Sequence, residues 1–154
     1  MADDESNVPK ELSRSEWKVM GIVWSMQKAM AREVYTVAGE QFDWSPATVK
    51  TLLKRLVDKG YLKTTQVGNG FVYRPSRTAI ASLRSAADTL LSNAIDGTTG
   101  PLLQHMVKSS SLTHDDLDEL QQLIEAKKNA LAKSAGNQKT GPNQKSNTQK
   151  RRGS

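Results

Sequence analysis

The sequence predicts a mainly α fold: three helices, a two-stranded β hairpin, then three more helices. Three observations carry this. Residues 45–59 form a helix marked at both ends, two β-rich runs joined by Gly68-Asn69-Gly70 follow it at once, and apolar residues recur at helical spacing on either side. The hydrophobic content of 36% suits a modest helical core rather than a large enzyme core.

Residues 1–11 read as a polar arm opening with Asp3, Asp4 and Glu5. Ser13 and Glu16 have the spacing of a capping box, and Leu12 and Trp17 that of a hydrophobic staple. Trp17, Met20 and Trp24 then line one face of a first helix. A second, from Ala31 to Glu40, offers Val34, Val37 and Ala38. The third has Ser45 as N-cap, Pro46 at the first helical position and Gly60 for the left-handed C-terminal position. Its Val49, Leu52, Leu53, Leu56 and Val57 make one apolar stripe, leaving Ala47, Thr48, Thr51, Lys54, Arg55 and Asp58 opposite.

Residues 61–67 and 71–74 form the hairpin, whose turn residues tolerate positive φ, and Pro75 is expected to break the ladder. From Ser76 or Arg77 a long helix carries Ile80, Leu83, Ala87, Leu90, Leu91, Ala94 and Ile95 on one side, with Gly97 and Gly100 closing it. Pro101 opens a short helix with Leu102, Leu103, Met106 and Val107. Thr113 and Asp116 cap a last one, stapled by Leu112 and Leu117 and bearing Leu117, Leu120, Ile124 and Leu131. The expected organisation is an arm (1–11), a domain of three helices and a hairpin (12–76), a helical subdomain (77–133) and a disordered basic tail (134–154).

Charge is unevenly placed. The net +6 equals the six basic residues from Lys133 onward, where there is no acid, so the rest of the chain is neutral. Within it, residues 44–77 hold seven bases (Lys50, Lys54, Arg55, Lys59, Lys63, Arg74, Arg77) against Asp58 alone, whereas residues 112–125 hold five acids and no base. Positive potential therefore concentrates where a phosphate backbone would be met.

Helix, helix, helix and two-stranded wing is the winged helix-turn-helix order. The run from Trp44 through Ser45-Pro46-Ala47-Thr48-Val49-Lys50-Thr51-Leu52-Leu53-Lys54-Arg55 to Gly60 resembles the recognition helix of the penicillinase-repressor (BlaI/MecI/CopY) family. So do residues 12–24, the wing ending Phe71-Val72-Tyr73-Arg74-Pro75, and residues 117–128. The resemblance implies a homodimeric transcriptional repressor on a two-fold symmetric double-stranded operator, N-terminal winged helices on DNA and C-terminal helices intertwined. It puts Thr48, Thr51, Lys54 and Arg55 against base edges, in agreement with the face read from the residues. Ser45, Lys50, Lys59, Lys63, Asn69, Tyr73 and Arg74 are the expected phosphate and wing contacts. Leu90, Leu91, Leu102, Leu103, Leu117, Leu120 and Ile124 are the expected dimer contacts.

Two departures from the family pattern bear on release. Copper-responsive members bind metal through C-terminal cysteine pairs, and this chain has no cysteine, which also excludes disulfides and a cysteine nucleophile. Antibiotic-responsive members are cut at an Asn-Phe bond in the fifth helix by a sensor-linked protease, and the aligned pair here is His105-Met106. Neither His105 nor His114 belongs to a metal or catalytic set, so no cofactor, metal or enzymatic activity is expected. The competing class is a winged helix that meets an acidic protein partner instead of DNA; small polar and basic residues on the exposed face, with no aromatic patch, favour DNA. No apolar run is long enough for a signal or a membrane span, which gives a cytoplasmic expectation.

Overall fold

The structure, a computed structural model, describes residues 10–138. The first nine residues of the expected arm, and all of the expected tail beyond residue 138, lie outside the described residues. In chain order the elements are α1 (Arg14–Met26), β1 (Ala29–Met30), α2 (Ala31–Phe42), α3 (Pro46–Asp58), β2 (Leu62–Val67), β3 (Gly70–Pro75), α4 (Ala79–Ser92), α5 (Thr99–Ser109) and α6 (His114–Gln138). Packing divides the chain after Asp96 into two compact units. No described helix is long and apolar enough to cross a membrane.

The local end signals work as the side chains dictate. At α1 the Glu16 N–H donates to Ser13 Oγ at 3.2 Å while the Ser13 N–H donates to the Glu16 carboxylate at 2.9 Å, a complete capping box. α3 starts at Pro46 behind the Ser45 cap, and Gly60 takes a φ of 82° just beyond its last turn, where a side chain would be strained. Thr113 and Asp116 cap α6 reciprocally, and the hydrogen bonds from Thr113 hold the Asp116 carboxyl below its usual range. α6 then runs on through Gln138, so the segment expected to be tail from residue 134 begins as helix.

The core of the first unit is where these apolar stripes meet. Val19, Met20 and Val23 of α1, Val34 and Ala38 of α2, and Val49, Leu53 and Leu56 of α3 are all fully buried. Tyr61 and Leu62 close the core beneath the wing. Trp17 and Trp24 lie on one side of α1 with ring centroids 5.8 Å apart, and the Trp24 indole N–H donates to the Arg77 carbonyl at 2.9 Å.

The sheet and the start of α4 also differ from what the sequence leads one to expect. The two-stranded wing is part of a three-stranded antiparallel sheet of order β1-β3-β2, because Ala29 and Met30 pair with Tyr73 and Val72. Pro75 does not break the ladder; it is the last residue of β3, opposite Leu62. The Ser76 N–H bonds to the Tyr61 carbonyl at 2.8 Å, so Pro75 sits in a non-hydrogen-bonded pair and its missing N–H would point past the end of β1. α4 starts two to three residues later than expected, at Ala79, with the Thr78 hydroxyl accepting from the Ala81 N–H at 3.1 Å.

α4 also clusters with the first unit rather than with the helices after it. It turns inward not its leucines but a small polar stripe: Ser82 is buried, and Ser85 and Thr89 are half-buried. Ile80, Leu83, Leu90 and Leu91 are exposed. The Ser82 and Thr89 hydroxyls donate to helix carbonyls four residues earlier, which satisfies them against the core side.

One ion pair ties the unit together. The Lys59 ammonium, at the C-terminal end of α3, lies 2.6 Å from the Glu16 carboxylate, which is 2% exposed. Burial pushes the Glu16 carboxyl up, but hydrogen bonds from Lys59 and Ser13 and the charges of Lys59 and Arg55 outweigh it and hold it below its ordinary value. Lys59→Met, which strands this carboxylate, is expected to destabilise the protein by about 2–4 kcal/mol at neutral pH in urea denaturation. Because Glu16 has a depressed pKa, its stabilisation is full above the ordinary glutamate range and disappears as pH falls through the folded-state value. The advantage of wild type over Glu16→Gln should therefore shrink in acid; an unchanged gap would contradict the ionised pair.

Candidate nucleic-acid interface

The exposed side of α3 is built from its N-terminus. Trp44, just before the cap, is half-buried against Phe42 with centroids 4.8 Å apart, and the Lys18 ammonium lies 4.7 Å from the Phe42 ring and 5.6 Å from that of Trp44. This cluster fixes where α3 begins. The Ser45 hydroxyl then accepts from the Thr48 N–H at 3.3 Å and lies 3.0 Å from the Thr48 hydroxyl, while the Thr51 hydroxyl donates to the Ala47 carbonyl at 3.0 Å.

Thr48, Thr51, Lys54 and Arg55, the expected base contacts, are all exposed and share the face opposite the buried stripe. Lys50 is exposed beside them. None of these cations has a carboxylate partner: Lys59–Glu16 is the only ion pair among the described residues. The face thus runs from short hydroxyl side chains, which let a helix approach closely, to long cationic ones that demand an anion.

Lys59 does not share this role. At 100° per residue it falls about 20° from Leu52, on the border of the buried stripe. From there its ammonium reaches inward to Glu16 and also donates to the Glu11 carbonyl at 2.8 Å, so it is committed to the fold rather than to a phosphate. No signal near Lys59 in the sequence shows this, because the partner is 43 residues away.

On the wing, Val67 and Gly70 close a two-residue loop in which Gly68 has a φ of 61° and Asn69 does not need positive φ, the pattern of a type II′ turn. Asn69 is exposed at the tip. Lys63 and Arg74 are exposed and directly opposite each other on the ladder. Two like charges in register destabilise a sheet unless an anion lies over them. Tyr73 belongs elsewhere: it is half-buried, packs on the core and pairs with Ala29 and Thr64. Burial, with Tyr35 nearby, raises its phenol pKa, and the expected phosphate contact by its hydroxyl is not favoured by this placement.

The expected dimer residues lie on two separate units. Leu90 and Leu91 are exposed on α4. In the second unit Leu103, Leu117 and Ile124 are exposed, and Leu102 and Leu120 are half-buried. His105 and Met106, the pair aligned with the family's Asn-Phe bond, are exposed within α5, with His105 Nε2 3.4 Å from the Ser109 hydroxyl.

Residues 12–126 match the family profile of the penicillinase repressor. The chain is 35% identical over 117 residues to a 16.5 kDa protein from the ptsI 3′ region of Latilactobacillus sakei, covering 76% of this chain and 80% of that one. It is 28% identical over 119 residues to the penicillinase repressor of Bacillus licheniformis, covering 77% and 93%. Among solved structures, the DNA-binding domain of the repressor BlaI aligns at 33% identity with a TM-score of 0.44, over 47% of this chain and 88% of that one.

If the Lys63–Arg74 pair is held for an anion, the free protein is better off without it. Lys63→Glu, which replaces repulsion by a cross-strand ion pair, should raise stability in thermal denaturation by about 0.2–1 kcal/mol while weakening anion binding. A loss of stability on this substitution would remove the argument from opposed charges.

Proposed function

The chain belongs to the penicillinase-repressor family, and on that premise we propose that it is a DNA-binding transcriptional repressor. The observation that carries the reading is the exposed face of α3, where Thr48, Thr51, Lys54 and Arg55 stand together without an acidic partner. In a major groove the two threonines and Arg55 meet base edges, and Lys54 reaches a base or its phosphate. Lys50, Lys63 and Arg74 hold the backbone, Ser45 presents the N-terminus of α3, and Asn69 carries the tip of the wing. Occupancy of the operator then blocks transcription.

Arg55→Ala is expected to cost about 1–3 kcal/mol on the operator and less on random duplex in titrations at fixed salt. Equal losses on both would demote Arg55 to a phosphate contact. Binding by the wild type should fall steeply as salt rises, since every phosphate neutralised releases condensed counterion, and a flat response would sink the DNA reading.

A homodimer on a two-fold symmetric operator follows from what the monomer leaves uncovered. No residue from 97 to 136 is buried, and α6 carries Leu117, Leu120, Ile124 and Leu131 at a coiled-coil-like spacing. Helices with no buried side chain are not stable alone. Leu120→Asp should therefore shift the sedimentation of the purified protein from dimer to monomer; a monomeric wild type would refute the dimer. The releasing signal is left open by this reading; in the proteolytic case, cleavage at the His105–Met106 bond would need local opening of α5 and would be read from the size of the chain after induction.

A further inference from the structure

The inward face of α4 does not fill the space in front of it. Ser82, Ser85 and Thr89 follow one another along that face, and their short side chains stop short of Trp17 on α1 and of Tyr61 beyond the end of α3. A pocket of about 180 Å³ remains between them. An apolar cavity of about 150 Å³ takes one benzene molecule, so this space suits a single aromatic ring with a small substituent. The lining sets the chemistry of that substituent. Trp17 offers a half-buried aromatic surface, and its indole N–H has no acceptor among the described residues, whereas that of Trp24 donates to the Arg77 carbonyl. The Ser82 and Thr89 hydroxyls donate to helix carbonyls, while the Ser85 hydroxyl bonds to nothing among the described residues. The one charged side chain on the lining is Glu11, exposed at the rim, which disfavours an anion. An unused N–H on an aromatic wall, an unused hydroxyl on the α4 side and a carboxylate at the rim fit a neutral ring that bears a carbonyl.

We propose that this pocket is an effector site for a small neutral aromatic carbonyl compound, and that its occupant acts on DNA binding through α4. The second half rests on the DNA-binding reading of α3. Position is what makes the site regulatory. At 100° per residue, the face bearing Ser82, Ser85 and Thr89 is centred about 160° from that of the exposed Ile80, Leu83, Leu90 and Leu91. A second copy seated on those apolar residues therefore leaves the pocket open. On its other side the pocket meets Tyr61, which follows α3 directly. A ligand between Tyr61 and α4 pushes the apolar face of α4 away from the recognition helix. In a dimer held through α4 this alters the separation of the two recognition helices, and so their fit to an operator.

Benzamide, with one ring, a carbonyl and no charge, is the probe. Titrated into the full-length isotope-enriched protein, it should move the indole N–H signal of Trp17 and the amide signals of Ser85 and Thr89. The shifts should saturate, with half-saturation at or below about 1 mM, an ordinary value for so small a ligand. Benzoate, the same ring as an anion, should bind at least about 10-fold more weakly. Trp17→Phe keeps an aromatic wall and removes the N–H, and should weaken benzamide about 3- to 10-fold. Ala86→Trp adds bulk at an exposed position of the lining and should abolish the shifts while the signals of α1 and α3 stay in place. Saturating benzamide should lower the affinity of wild type for its operator at least about 5-fold and leave that of Ala86→Trp unchanged. No saturable shift in wild type, equal binding of benzoate, or shifts that persist in Ala86→Trp would overturn the site. Saturation without any change in operator affinity would overturn the effector role. If benzamide binds as expected but neither protein binds any duplex, the DNA reading of α3 falls while the site stands.

Discussion

A single buried carboxylate organises the first unit. Glu16 is 2% exposed, and its charge is tolerable there only because one oxygen accepts both the Ser13 N–H and the Lys59 ammonium. These donors come from different places: the first caps α1, the second ends α3. Because Lys59 also holds the Glu11 carbonyl, the same ion pair decides how the chain enters the fold and how α3 lies against α1. The rotation of α3 follows. With Val49, Leu53 and Leu56 buried and Lys59 drawn inward, Thr48, Thr51, Lys54 and Arg55 have nowhere to point but outward.

What can be read from sequence divides according to the range of the interaction. Both capping boxes, the Ser45-Pro46 start of α3, the Gly60 stop and the wing turn depend on residues within a few positions of each other, and the structure has them where the sequence puts them. The two faces of α3 are equally legible, since the helical period alone separates them. Lys59 escaped because its position on the helix wheel is ambiguous and its partner lies 43 residues upstream. β1 escaped because two residues cannot show a period; only pairing with β3 makes Ala29 and Met30 a strand. Tyr73 was read as a wing residue, yet its position opposite Ala29 draws it to the core.

α4 shows a different limit. Its apolar stripe is legible, and the sequence assigns Leu90 and Leu91 to dimer contacts; the small polar face that the helix turns inward is not legible. The helix packs inward with Ser82, Ser85 and Thr89, whose small side chains permit close approach and whose donors can be met by the helix itself. Its leucines and isoleucine are left for something outside the unit. Hydrophobic period identifies a helix and its two faces; which face a given unit takes depends on the sizes of side chains and the space available. The exposed stripes of α5 and α6 in the second unit pose the same demand independently, and the homodimer proposed above would answer both.

The electrostatics of the proposed interface follow from placement and not from totals. Chain-wide charge is a poor guide here, since the six basic residues from Lys133 onward account for the whole net +6. Within the first unit, Glu16 is buried with Lys59, and Glu33 is used at a helix start, where it accepts from the Met30 N–H at 2.7 Å. Lys54 and Arg55 form no ion pair among the described residues, and Lys63 stands opposite Arg74 across the wing. A surface selected for stability alone would have paired these charges. Their isolation costs the free protein a little and is recovered only when an extended anion covers α3 and the wing together, the arrangement a DNA backbone provides.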